Sequence, residues 1–524
     1  MWFWGGFWVA SSMLCFSVVT MCWLGYIMSI TFLSFGDKLW LVDLDFDLLT
    51  VLVLLMLLIC FVYVYNYTEH YFGVGLESVS LNKIICLFVG VMASLVCTGD
   101  FLLTLIFWEY LGVVSFFLIL FYDSYLSLRS SIITLVSSRF GDVCLFILIC
   151  MSYYIANSPA WAILIFFFII FTKSASFPFI SWLLEAMRAP TPVSSLVHSS
   201  TLVAAGVWFS TRYDVLLWFH DLFIFSGLLL LTIFITGVCC FFFVDLKKIV
   251  ALSTCNNISW CVLYLIFGDF VLSLFQLISH GVAKCMLFML VGDVMSGSGG
   301  SQTSNCIYSP YLYGNWGVFS LFSVVLGLSG APFIGVFFSK HFLLTNFMGV
   351  GSILLYLCVL SCVFISYFYS FRLCSVIINF KSGLSAGTLY FFNSGLMVYF
   401  WLFINYFVSG NLDEVASLSF ITSLDLLFFQ FISCITAYLL YNSIVFSSWS
   451  SSLFGCDNLV ELFYYLFLWL WGSIAVFFYR WDSYLLFVFS GAGINSINIY
   501  IMNFLNIIVM TIFLFLMCFG IVYN

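Results

Sequence analysis

Charge is scarce in this chain of 524 residues: 14 Lys+Arg and 22 Asp+Glu make up 7% of it and leave a formal net charge of -8. A soluble domain carries about 25% charged residues, so this chain cannot clothe a water-facing globule. The acidic balance also leaves no basic face for nucleic acid. Disorder is excluded by the opposite property, because a sequence that is 65% hydrophobic, with a mean hydropathy of +1.21, must bury its apolar surface. The 19 cysteines include no Cys-x-x-Cys pair, and His70, His198, His220, His280 and His341 form no close pair. Neither a zinc site nor a disulfide framework has its spacing, and the cysteines fall in apolar runs as small hydrophobes. Gly297, Gly299 and Gly300 are not followed by the Gly-Lys-Ser/Thr of a phosphate loop, and no dinucleotide fingerprint is present. No metal or cofactor is expected to be held by this chain.

What is abundant is long apolar sequence, as at 48–66, 222–244 and 501–518. About 20 such residues cross a bilayer as a helix, whereas a barrel would show short alternating segments. Roughly 20 residues per span and 10 to 15 per connection give an all-α polytopic membrane protein of about 14 to 16 transmembrane helices. Residues 1–36 lack the features of a signal or transit peptide, which points to insertion beside the site of synthesis, in a bacterium or an organelle. Residues 37–47 and 66–83 read as extramembrane connections. Three regions follow: N-terminal helices over 1–99, a core over 100–345 that holds the conspicuous intramembrane charges, and C-terminal helices over 346–524.

In that core, Pro178, Pro190 and Pro192 interrupt the polar segment 173–206, and Gly330, Ala331 and Pro332 precede Lys340. Both places predict broken helices. Glu109, Lys173, Lys284 and Lys340 lie in apolar sequence, each costing about 2.5 to 3.5 kcal/mol at mid-membrane. They are therefore expected to face the bundle interior, with Lys173 and Lys284 too far from helix ends to reach the interface. Holding a lysine neutral at pH 7 costs about 4.6 kcal/mol, an energy that burial supplies, so a lysine beside a movable glutamate is suited to carry protons. Gln276, His280 and Lys284 recur every four residues and share one helix face. His198, beside Ser199, Ser200 and Thr201, reads either as a relay group or as a packing histidine, and Lys340 also fits a helix end. Arg139 and Asp142, about one turn into a span, read as a local structural pair, and Lys247 and Lys248 as an interfacial positive cluster. Glu109 ahead of one break and Lys284 ahead of the other suggest two inverted repeats.

The segment KSASFPFISWLLEAMRAPTPVSSLVHSSTLVAAG (173–206) resembles the signature of the antiporter-like subunits of respiratory complex I, the NADH:ubiquinone oxidoreductase. FWEYLGVVSFFLI (107–119), RFGDVCLF (139–146), DLKKIVALSTCNNIS (245–259), ISHGVAKCMLFM (278–289) and LSGAPFIGVFFSK (328–340) support the resemblance in family order. It implies a proton-translocating membrane-arm subunit in which Glu109 and Lys173 form a switchable pair, followed by His198, His280, Lys284 and Lys340. It further implies that NADH, FMN, iron-sulfur clusters and ubiquinone belong to other subunits, that another antiporter-like subunit is among the partners, and that the setting is the mitochondrial inner membrane. Gln276, where the family often has histidine, and His341, where it often has an acid, depart from the pattern. A long lateral helix and a terminal anchor, the latter near 501–522, are expected in the C-terminal region. A related Mrp-type cation/proton antiporter and a structural subunit without transport remain the rival readings.

Overall fold

Apolar runs in lipid must satisfy their backbone internally, and here they do so as helices. The computed structural model describes residues 26–35, 38–73, 75–151, 159–213, 223–267, 270–306, 308–310, 314–331, 334–348, 353–378, 381–383, 401, 420–441, 456–489 and 508–512. Among them, 11 helices are long and apolar enough to cross a membrane, and the chain is a multi-pass membrane protein. The anchor expected at 501–522 lies outside the described residues, apart from 508–512, as do Pro332 and His220. The chain divides into two units, Met1–Asp457 and Asn458–Asn524.

The first unit begins with an antiparallel hairpin, β1 (Tyr26–Phe35) and β2 (Lys38–Phe46). Asp43, Asp45 and Asp47 alternate with Leu44 and Phe46, a period of two that suits a strand, so within the polar stretch residues 38–46 form a strand rather than a plain connection. Arg212 fastens it to one end of the bundle: Nη1 donates to Asp47 Oδ2 at 2.8 Å and Nη2 lies 3.0 Å from Asp45 Oδ2. The helices that follow are α1 (Leu48–Phe72), α2 (Leu76–Val96), α3 (Phe101–Leu120), α4 (Tyr125–Met151), α5 (Pro159–Lys173), α6 (Ser181–Glu185), α7 (Thr191–Ser199), α8 (Leu202–Arg212), α9 (Phe223–Phe242), α10 (Leu246–Ile266), α11 (Phe270–Gly297), α12 (Gly314–Ser329), α13 (Phe337–Met348), α14 (Ile353–Ile378) and α15 (Phe420–Leu440). α16 (Cys456–Phe489) extends into the second unit; its 34 residues make it about 50 Å long, and its side chains are almost all exposed.

Burial orders the first unit from the centre outward. In an apolar 18-residue stretch of each, the 191–212 segment is buried throughout and α10 and α11 are 89% buried, whereas α1, α2 and α4 are 39% buried and leave their outer faces to lipid or neighbours. α11 packs against α1, α7, α10 and α12, which makes it the axis of the bundle.

α4 begins earlier than its polar sequence suggested. Ser127, Ser130, Ser131, Thr134, Ser137 and Ser138 each donate to the carbonyl three residues back, so the hydroxyls are satisfied within the helix. Arg139 and Asp142 consequently sit about four turns inside α4, near mid-helix, and not one turn in.

Both breaks are present. After Lys173 the chain turns through Ser174 and Ala175 before α6, and after Ser329 it turns at Gly330, whose φ of +83° suits a residue without a Cβ. Gly206 of α8 rests against the first break: an added Cβ would lie 3.2 Å from both Ile170 O and Ser174 N. These are backbone atoms and cannot swing aside, so Gly206→Leu is expected to cost about 1 to 3 kcal/mol by overpacking. A lower thermal midpoint of the detergent-solubilised protein is the measurement; an unchanged midpoint would mean that the break is not held there.

Candidate functional site

The first cluster joins three helices at mid-bundle. Glu109 of α3 accepts a hydrogen bond from Arg139 Nη1 of α4, and the same Nη1 lies 3.5 Å from Asp142 Oδ2. On the other side of Asp142, Oδ1 lies 3.8 Å from Lys173 Nζ. Charges of opposite sign thus alternate, Glu109, Arg139, Asp142, Lys173, from the surface of the chain to its interior. The side chains of Glu109 and Arg139 are 44% and 37% exposed, whereas those of Asp142 and Lys173 are 3% and 0% exposed.

This corrects two expectations. Glu109 does not face the interior, because Arg139 compensates it on the outer face, and it meets Lys173 through Arg139 and Asp142, not directly. Lys173 is the last residue of α5, so it does lie at a helix end, but one that the break places inside the protein. There it faces the negative end of the α5 dipole and the ring of Trp108, 5.0 Å from Nζ, both of which favour a cation.

The second cluster is organised by α11. Gln276, His280 and Lys284 are all buried, as their four-residue spacing allows at the axis of a bundle. Lys284 Nζ donates to Ser253 Oγ of α10, and a narrow cavity runs from there past Asn257, Ser329, Tyr369 and Ser370. It has room for about one water molecule. Ser329, which lines this cavity, also connects it to Lys340: Lys340 Nζ donates to Ser329 O and to Ser366 Oγ, each at 2.7 Å, and lies over the ring of Tyr367 at 4.4 Å. Ending α12 at Ser329 frees a carbonyl for this buried lysine. His198 packs between Trp182 and Phe288, the latter one turn beyond Lys284. Neither ring nitrogen of His280 has a hydrogen-bond partner among the described residues.

A family model described as NADH:quinone oxidoreductase/Mrp antiporter, TM, matches residues 98–366, a stretch that contains both clusters and more than half of the chain. The chain belongs to this family. It is 34% identical over 316 residues to NADH-ubiquinone oxidoreductase chain 5 of Caenorhabditis elegans, covering 59% of this chain and 60% of that one. Chain 5 of Ascaris suum is 33% identical over 327 residues, with coverage of 59% and 58%, and chain 5 of Anopheles quadrimaculatus is 34% identical over 293 residues, with coverage of 51% and 50%. The matches thus span about half to three fifths of these relatives. Among solved structures, one of the Mrp complex from a Dietzia species aligns with a TM-score of 0.73 at 20% identity, covering 92% of this chain and 59% of that one. The archaeal membrane-bound sulfane sulfur reductase aligns at 0.65 and 16% identity, covering 83% and 92%. At such identities these two speak for the fold.

Within this antiporter-family fold, sequence reasoning missed Asp142 as a lysine partner and misread Lys247. The latter is 6% exposed, not interfacial, and its Nζ donates to Ala189 O at 3.4 Å; only Lys248 is on the rim, 3.4 Å from Asp245. The two departures from the family pattern are both hydrogen-bonded close to Lys340. Gln276 Oε1 accepts from Ser339 Oγ at 2.9 Å, and His341 Nε2 lies 3.5 Å from Thr422 Oγ1.

Proposed function

We propose that the chain is a proton-translocating membrane-arm subunit of respiratory complex I in the mitochondrial inner membrane. NADH, FMN, iron-sulfur clusters and ubiquinone would be handled by other subunits, and another antiporter-like subunit would be among its neighbours. The observation that carries the reading is the buried line from Lys284 through Ser253 and the small cavity to Ser329 O and Lys340, lying within the matched family region. Two titratable amines linked by hydroxyls and room for water can pass a proton along α11 and α12 without exposing either charge to lipid. The chain-5 relatives favour complex I over an Mrp-type antiporter.

Glu109, Arg139, Asp142 and Lys173 would form the switch at the head of this line. Arg139 touches both carboxylates, so a shift of Arg139 towards Glu109 strips Asp142 of one cation and tightens its hold on Lys173; a shift towards Asp142 loosens that hold. His198 and His280 would stand between the switch and Lys284. The partly exposed Glu109 would be the group that a neighbouring subunit addresses, and α16 would be the lateral helix.

Purification of the assembled complex in mild detergent, with NADH:quinone assay and mass spectrometry, tests the assignment. Co-purification with flavin and iron-sulfur subunits and NADH-driven quinone reduction are expected. A small complex lacking redox subunits and exchanging sodium for protons would replace complex I by the antiporter.

A further inference from the structure

At one end of the bundle lies a histidine–carboxylate pair that the line just described does not use. His70, in the last turn of α1, has its Nε2 3.3 Å from Oδ1 of Asp293, near the end of α11. The two differ in exposure: the histidine side chain is 22% exposed and the aspartate 3%. Behind the carboxylate, α11 has a glycine. A Cβ added at Gly292 would lie 2.5 Å from the hydroxyl of Tyr67 and 3.3 Å from Thr191 Oγ1, so the missing side chain is what lets these two buried groups meet beside Asp293.

Thr191 opens α7, and Ser195 and Ser199 follow it at four-residue steps on one face, all buried, with His198 next to the last. Asp293 stands nine residues from Lys284, half a turn round α11, so its carboxylate lies on the opposite face of α11 from the lysine, whereas Phe288, against which His198 packs, is one turn beyond Lys284. Among the described residues, Tyr71 of α1, its ring 6.0 Å from that of Tyr67, and Glu69, which precedes His70, are nearby titratable groups, and Lys247 is bonded to Ala189 O just before α7.

We propose that His70 and Asp293 form a proton port. A proton taken from water by the exposed imidazole passes to the Asp293 carboxylate. The hydroxyls of Tyr67, Thr191, Ser195 and Ser199 then each accept one proton and release another, and the net result is one proton delivered towards His198. The port rests on the proton-translocating reading above, and its test keeps the two apart.

The initial rate of redox-driven proton translocation is to be measured in sealed vesicles containing the whole complex, between pH 6 and 8.5, with the assembled complex quantified by native electrophoresis. Relative to wild type, His70→Ala is expected to lower the rate roughly tenfold at unchanged assembly, and millimolar imidazole in the medium is expected to restore it. Asp293→Asn should lower it similarly and Asp293→Glu should recover most of it. A wild-type rate and pH profile in His70→Ala would overturn the port, as would a defect that imidazole does not relieve. Should Asp293→Asn fail to assemble, His70→Ala decides alone. Lys284→Met is run beside them: translocation lost there but intact in His70→Ala removes the port and leaves the proposed function, whereas translocation retained in Lys284→Met removes both.

Discussion

Replacing Lys284 by methionine is expected to abolish proton translocation, by about 100-fold or more, while the complex assembles at its normal level. The expectation rests on what each atom loses. The amine is the titratable group where α11 meets the small cavity, and no neighbouring side chain along that face can take its place: Gln276 does not titrate, and His280 lies a full turn away. The fold, by contrast, gives up little. Ser253 Oγ, the acceptor of Lys284, also donates to Val250 O at 2.7 Å and keeps that bond when the lysine is gone. Methionine fills nearly the same volume with a flexible apolar chain, and exchanging a buried charge for a well-packed apolar side chain is often neutral or stabilising. Translocation and assembly are therefore separable here, by dye-reported acidification of vesicles on one side and native electrophoresis on the other. A variant that assembles and pumps at the wild-type ratio of protons to NADH would sink the assignment of Lys284 as a carrier.

The lysines were legible in the sequence because a charge inside an apolar run is a discrete, costly event. The two breaks were legible for a similar reason, since proline and glycine act on the backbone locally. What was not legible depended on which helices end up side by side. Arg139 and Asp142, three residues apart, look self-sufficient on paper; only when α5 folds back along α4 does Asp142 meet Lys173. Glu109 was read as inward-facing on the premise that lipid expels charge, yet an arginine from the adjacent helix allows it to stay at the surface. Arg139 and Asp142 looked close to the start of a span because hydropathy counts a serine as polar whether or not its hydroxyl is bonded to the preceding turn. The port pair escaped for the same reason as Asp142: His70 and Asp293 are 223 residues apart and belong to no shared motif.

Asp142→Asn should be the most damaging change in the first cluster, because its effects reach both stability and transport. At 3.8 Å the attraction between Asp142 and Lys173 is about 4 kcal/mol at an effective dielectric of 20, and both groups are almost fully buried, so no solvent replaces what is lost. Removing one partner of a buried pair costs about 3 to 5 kcal/mol, against the smaller loss expected for Glu109→Gln at the half-exposed end of the same row. Asp142→Asn is thus expected to lower both the amount of assembled complex and its thermal midpoint, and to cut translocation about 100-fold in whatever assembles. A double variant separates the two roles. Asp142→Asn combined with Lys173→Met carries no unpaired buried charge, so assembly and thermal midpoint should return towards wild type while translocation stays lost. If the double variant regained translocation along with stability, the pair would be a structural bridge, and the switch would have to be sought elsewhere in the chain.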